Sequence, residues 1–392
     1  MNDGLRLAQF LDGAEEDLSE DTVQDSAVTT LRDLGLSGKG APAHLAAMMA
    51  ALRSVFYQTT ESQKEHMAFL SRTYALMFSM KYDLRVSSYF ADMKSKFRLL
   101  VGSDVIIQAL SEIRLLEEDR ATHGMLKALN VSGAELILTD FAVEEVYTHI
   151  VAANEEYLNH YAEQDKYMTL ELARQSDRIL IRAYYYSKFV PPSPSLATRS
   201  WGEFLNNILP YAELRTGEAR LALRTFLREK FGMRLETRTD LEQAIDAKKH
   251  NRLTQTLIDR GIKSRWDKAW NDAAHVLLVY ALRAEANEIA RASPVGYRTW
   301  WLTSETAIQR GFEELIRERG KAIMRPQVAS QLLSFAPDSD EVRRAFGAVM
   351  PSLVGVRLGN RAHPSVLRSI LDRVAEVGRT DPARMKAEME RL

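Results

Sequence analysis

Cysteine is missing altogether from the 392 residues. Disulfides, cysteine-ligated zinc and thiol nucleophiles are therefore excluded, and the composition fits a reducing cytosol, so a cytoplasmic location is expected. An excess of either charge is absent as well. Fifty-two Lys and Arg face 53 Asp and Glu, for a formal net charge of −1, so no global electrostatic footprint for nucleic acid exists and only a local basic patch could supply one. Long apolar runs are absent. The longest, residues 273–282, is about half of the roughly 20 residues that cross a bilayer, so no membrane segment is expected. The N-terminus is acidic where a secretory signal would be basic and then apolar. There is no P-loop and no dinucleotide glycine fingerprint. Ser, His and Asp occur in no recognisable nucleophile context, so acyl transfer is unsupported. No Glu-x-x-His is found, which argues against a carboxylate-histidine di-metal bundle.

What is present is enough chain for about two domains, on a prior of roughly 100–200 residues each, and an apolar fraction of 46%, enough for a large core. Residues 1–26 hold eight acids against the single base Arg6. They read as a solvated acidic start or as a docking strip for a basic protein partner. From residue 41 to about 89 apolar residues recur at helical spacing, at Leu45, Met48, Met49, Leu52 and Phe56 and again at Met67, Leu70, Tyr74, Met77 and Phe78. This predicts a helical N-terminal region over 1–95 whose methionine stripe is core.

The chain is organised around residues 96–104, Lys-Phe-Arg-Leu-Leu-Val-Gly-Ser-Asp, an apolar run that ends on an acid. Residues 134–140, Ala-Glu-Leu-Ile-Leu-Thr-Asp, repeat the pattern and lead into a helix carrying Glu144 and Glu145. Residues 297–305, Tyr-Arg-Thr-Trp-Trp-Leu-Thr-Ser-Glu, repeat it again. Short apolar runs separated by helical stretches read as buried parallel strands, and ligands of such sheets sit outside the carboxyl ends of the strands. A helix is expected from Asp104 to about Leu129, and a long helix, apolar on nearly every face, over 265–290. Residues 155–255 read as a helical insertion and 326–392 as a helical C-terminal cap. The expected architecture is thus α/β: a small parallel sheet sandwiched by helices, in a domain over 96–325.

Asp272 lies within the long apolar helix, and Asp is almost never buried unless it is paired or bound to a cation. Asp104 is held between the apolar runs 99–101 and 105–107. Carboxylates gathered at adjacent strand ends repel one another, so some take up protons or a cation offsets the charge. All-oxygen ligands suit Mg²⁺ or Mn²⁺. A basic cluster precedes Asp272, and within it Lys263, Arg265 and Lys268 could contact phosphates while Trp266 stacks a base; the same residues could instead form a solvated helix face. His275, three residues after Asp272, reads as a satisfied core histidine or as a partner supporting that acid.

At these residues the sequence resembles the PIN-domain nucleases, over roughly 96–155 and 262–325. Asp104 in Leu-Leu-Val-Gly-Ser-Asp looks like the family's first acid, and Glu145 in Phe-Ala-Val-Glu-Glu-Val like the second, with Glu144 one register off. Asp272 in Trp-Asn-Asp-Ala-Ala-His looks like the third. Glu305 in Trp-Trp-Leu-Thr-Ser-Glu looks like the fourth, where Asp is more usual, with Thr303 as the neighbouring hydroxyl. The resemblance implies that these four acids bind Mg²⁺ or Mn²⁺ and hydrolyse RNA, less often DNA. Two departures stand against it: Ile106 replaces the Asn often found two residues after the first acid, and the gap from Glu145 to Asp272 is long. Both leave open a degenerate, non-cleaving interaction or nucleic-acid-binding protein.

Overall fold

A computed structural model of the protein describes residues 46–47, 96–116, 119–289 and 297–334. The chain divides into two compact units, residues 1–88 and 89–392, and everything below concerns the second. The expectations for the helical N-terminal region, its acidic start and its methionine stripe lie outside the described residues, as does most of the C-terminal cap.

The first strand, β1 (Arg98–Val101), is followed by α1 (Ser103–Ser111), α2 (Ala121–Val131) and β2 (Glu135–Thr139). Five helices then intervene: α3 (Asp140–His160), α4 (Leu170–Arg174), α5 (Ile179–Phe189), α6 (Trp201–Leu205) and α7 (Glu218–Phe231). The chain re-enters the sheet as β3 (Arg234–Glu236) and leaves it through α8 (Arg238–Ala244), α9 (Ala247–Asp259) and α10 (Trp266–Glu285). It returns as β4 (Thr299–Leu302), and α11 (Glu313–Arg319), β5 (Ile323–Met324) and α12 (Pro326–Ser334) follow.

All strand pairs are parallel and the order is β3-β2-β1-β4-β5. The α/β expectation with a small parallel sheet is met at this level. Alternation along the strands sends Leu99, Val101, Leu136, Leu138, Trp300 and Leu302 into one core with α1, α2, α3 and α7. Leu100, Ile137, Trp301 and Ile323 enter a second core with α8, α9 and α10. Both sheet faces are therefore covered, as the unbroken apolar runs require. The chain builds outward from β1 to β2 and β3, then crosses back to place β4 on the other flank of β1. That reversal opens a crevice at the carboxyl ends of β1 and β4, where open parallel sheets hold ligands.

Three expectations need correction. The stretch 155–255 is not wholly helical, because β3 lies within it and pairs with β2. Arg234-Leu-Glu236 is a three-residue edge strand without an apolar run, so the period that identifies strands is absent. The helix expected from Asp104 to Leu129 is two helices. The turn between them is fixed by Glu112, whose buried Oε2 accepts the His123 N–H at 2.8 Å in the first turn of α2, where the N-cap residue Arg120 supplies no side-chain cap. β5, two residues long, was not anticipated after residue 302. Among the described residues no helix is long and apolar enough to cross a membrane.

Candidate functional site

Asp104 is the second residue of α1, immediately beyond β1. Its Oδ1 accepts the Thr303 hydroxyl at 2.9 Å and its Oδ2 accepts the Ser304 N–H at 2.7 Å. The start of α1 is thereby stitched to the end of β4. Thr303 Oγ1 also accepts the Glu305 N–H at 3.1 Å, so one buried hydroxyl orders both acids. Gly102 makes the approach possible: a Cβ there would lie 2.5 Å from Asp104 Oδ1 and 3.0 Å from the Leu302 carbonyl. Burial raises the Asp104 pKa against the opposing hydrogen bonds from Ser304 and Thr303, and the charge of Glu305 raises it further.

Glu145 reaches the same place from α3. Its Oε2 accepts the Ser103 hydroxyl at 2.7 Å. Glu144 faces away and forms a two-pronged pair with Arg220, at 2.6 and 2.9 Å. The entry angle of α3 is set by Thr139, which ends β2 and accepts the Ala142 N–H.

Asp272 comes from α10 and is only 6% exposed. Its Oδ2 stands 2.8 Å from Lys263 Nζ, an ion pair without hydrogen-bond alignment. Burial pushes the Asp272 pKa up to about 6; Lys263 opposes the shift, and Glu145 and Glu305 reinforce it. The same lysine lies 3.3 Å from Glu305 Oε2. Lys263 therefore belongs to the acid cluster, whereas the sequence groups it with Arg265 and Lys268 on a phosphate-facing surface.

His275 is a satisfied core residue. Its Nδ1 donates to the Asn271 carbonyl at 2.8 Å, which leaves Nε2 to accept the Thr139 hydroxyl at 2.9 Å. Its ring stacks on Trp301 at 4.9 Å, and burial lowers its pKa. It ties α10 to the β2–α3 junction and so fixes Asp272 relative to Glu145.

The four acids thus come from four elements around the β1–β4 crevice: Asp104 is tied to Thr303 and Ser304, Glu145 to Ser103, and Asp272 and Glu305 share Lys263. Their donor chemistry, carboxylate oxygens throughout, fits a hard divalent cation, and the buried Asp272 Oδ2 without a hydrogen bond fits it too. In the arrangement seen, Lys263 supplies the positive charge. Among the described residues no three His, Cys, Asp or Glu side chains stand close enough together to hold a metal ion.

Beside the acids runs a cavity of about 840 Å³ between α3, α7 and the start of α10. Glu145 lines both. Arg178, Arg220, Arg224, Arg238, Arg265 and Lys268 contribute its positive charge, and Trp266 and Trp270 its aromatic surface. Several of these bases are paired: Arg224 with Asp140 at 2.7 Å, Arg265 with Asp267 at 2.5 Å, and Arg178 with Glu156 at 3.0 Å. Trp266 is 48% exposed. Trp270 packs edge-on against Phe141 at 4.9 Å, with the Arg238 guanidinium 5.3 Å from its ring. His149 also lines the cavity, its pKa lowered by burial. Of the bases preceding Asp272 and the two tryptophans beside them, Arg265, Trp266, Lys268 and Trp270 reach the cavity. The arginines on α7 and α8 were missed, because nothing local marks residues 220, 224 and 238 as neighbours of residue 145.

No family model matches the chain, and comparison with curated proteins and with solved structures finds no match.

Proposed function

We propose that this protein is a metal-dependent nuclease of the PIN-like kind, acting on RNA ahead of DNA in the cytoplasm. The observation that supports the reading is that Asp104, Glu145, Asp272 and Glu305 lie on four elements around the crevice where the strand order reverses, with Lys263 bridging Asp272 and Glu305. Asp104, Glu145 and Asp272 would hold Mg²⁺ or Mn²⁺, with Glu305 as a fourth ligand or as the group that orients water. Such an ion, when bound, activates water and stabilises the charge that develops on a phosphodiester. The chain's own residues do the rest. Thr303 and Ser304 hold the Asp104 carboxylate in one orientation. Arg265 and Lys268 in the adjacent cavity would track the phosphate backbone, and Trp266 offers a face on which a base can stack.

A second reading, a nucleic-acid-binding protein that does not cleave, is favoured by one feature: the Lys263 ammonium between Asp272 and Glu305, where positive charge is already supplied. Incubating the protein with mixed-sequence RNA and DNA under Mg²⁺, Mn²⁺ or EDTA decides between the two. Cleavage that requires metal and stops with EDTA is the expected result. Binding without cleavage under either metal would establish the second reading instead.

A further inference from the structure

Lys263 lies in the turn between α9 and α10, and its backbone is tied back onto the end of α9. Gly261, at φ +63°, closes the end of α9 in the left-handed region, where glycine carries no Cβ penalty. The Gly261 N–H donates to the Ile258 carbonyl at 2.9 Å, and the N–H groups of Ile262 and Lys263 donate to the Leu257 carbonyl at 3.0 and 3.1 Å. Ile262 packs against the second core. A backbone so fixed delivers the Lys263 side chain, half-buried, to Asp272 and Glu305, and its head reaches them at 2.8 and 3.3 Å. Burial acts to lower the lysine pKa, but Asp272 and then Glu305 outweigh it, and the pKa is raised.

Resting on the nuclease reading, we infer that Lys263 is a built-in counter-ion: it holds Asp272 and Glu305 together without metal, and it must leave them before a divalent ion can bind. Four carboxylates in one crevice repel one another, and one ammonium offsets a single charge of the four. A divalent ion offsets two and gathers the oxygens more tightly, and an ammonium 2.8 Å from Asp272 Oδ2 competes with it for that oxygen and repels its charge. The long, flexible lysine stem lets the head swing out while the capped backbone stays in place. Lys263 is therefore a positioning residue that sets the affinity of the site for metal.

Two measurements test this. In the first, Mn²⁺ is titrated by electron paramagnetic resonance at pH 8 into the wild type and into Lys263→Met and Lys263→Gln. Both variants should bind Mn²⁺ at least about tenfold more tightly, roughly 1.4 kcal/mol. Equal or weaker binding by both folded variants would overturn the counter-ion role while leaving the metal site standing. No Mn²⁺ binding by the wild type or either variant would overturn the nuclease reading itself. The second uses the wild type alone. Lys263 is labelled with an amine-reactive reagent and quantified by mass spectrometry with and without saturating Mn²⁺. Labelling should rise several-fold as the ammonium is released, and unchanged labelling with Mn²⁺ demonstrably bound would refute the displacement.

Discussion

At the scale of single residues, adjacent acids on one helix have opposite duties. Glu145 points into the crevice and takes the Ser103 hydroxyl, whereas Glu144 is exposed and paired with Arg220. An exposed pair of that kind contributes about 0–1 kcal/mol. On the nuclease reading, Glu144→Ala should therefore leave cleavage within about twofold of wild type, while Glu145→Ala should lower it about 100-fold or more; single-turnover assays of the two variants check the contrast, and equal losses would contradict it. On the nuclease reading, Asp104→Asn should abolish metal-dependent cleavage, because the charge of one proposed ligand is removed. It should also cost roughly 1 kcal/mol of stability, since an amide cannot accept from both Thr303 and Ser304 as the carboxylate does. Turnover together with a denaturant melt measures both effects, and unchanged turnover would remove Asp104 from the site. Asp272 was legible in the sequence because an acid in an all-apolar helix must find a partner. The identity of that partner was not legible. Lys263 reaches it through a capped turn whose direction depends on Gly261 and on packing around Ile262, neither of which leaves a periodic signal.

At the scale of elements, the break between α1 and α2 shows tertiary structure overriding local preference. Residues 112–120, Glu-Ile-Arg-Leu-Leu-Glu-Glu-Asp-Arg, contain no Gly or Pro and suit a helix, so nothing in the sequence marks the turn. The buried Glu112 carboxyl caps α2 there, and burial, outweighing the hydrogen bond it accepts from the His123 N–H, pushes its pKa up to about 7. For an acid whose folded pKa lies above its unfolded value, the stabilising contribution is whole below about pH 4.5 and is lost as pH rises through about 7. Glu112→Gln keeps an acceptor for the cap and does not titrate, so its stability relative to wild type should climb by roughly 1–3 kcal/mol between pH 5 and pH 8. The opposing contribution of His123, whose pKa burial lowers to about 4, is present in both proteins and cancels in the comparison. Denaturant unfolding at the two pH values gives the answer, and a constant difference would show that Glu112 does not titrate in this range. The strands divide along similar lines. β1, β2 and β4 were legible as apolar runs ending on acids, whereas β3 and β5 are too short and, in the case of β3, too polar to carry a period.

At the scale of the whole molecule, a net charge of −1 conceals a local asymmetry: acids lie around the crevice, while the neighbouring cavity carries six Arg and Lys against four acids, several of them paired. If nucleic acid binds there, removing Arg265 and Lys268 together should weaken binding about equally for all sequences and flatten the dependence of affinity on salt, by about one unit of slope per lost phosphate contact. Titrations at several salt concentrations check this, and unchanged lines for the double Ala variant would leave these bases with no part in binding. The strand order has a consequence of another kind, in time. β1 lies at the centre of the sheet and needs β4 on one side, and the Asp104–Thr303 hydrogen bond that closes the site spans 199 residues. At a synthesis rate of about 5–20 residues per second, that separation corresponds to roughly 10–40 s. For that interval the emerging chain carries β1 with one flank unpaired, its backbone donors and acceptors open to any passing strand. A nascent chain of this protein is therefore exposed to mispairing along the same edge where the finished molecule assembles its acids.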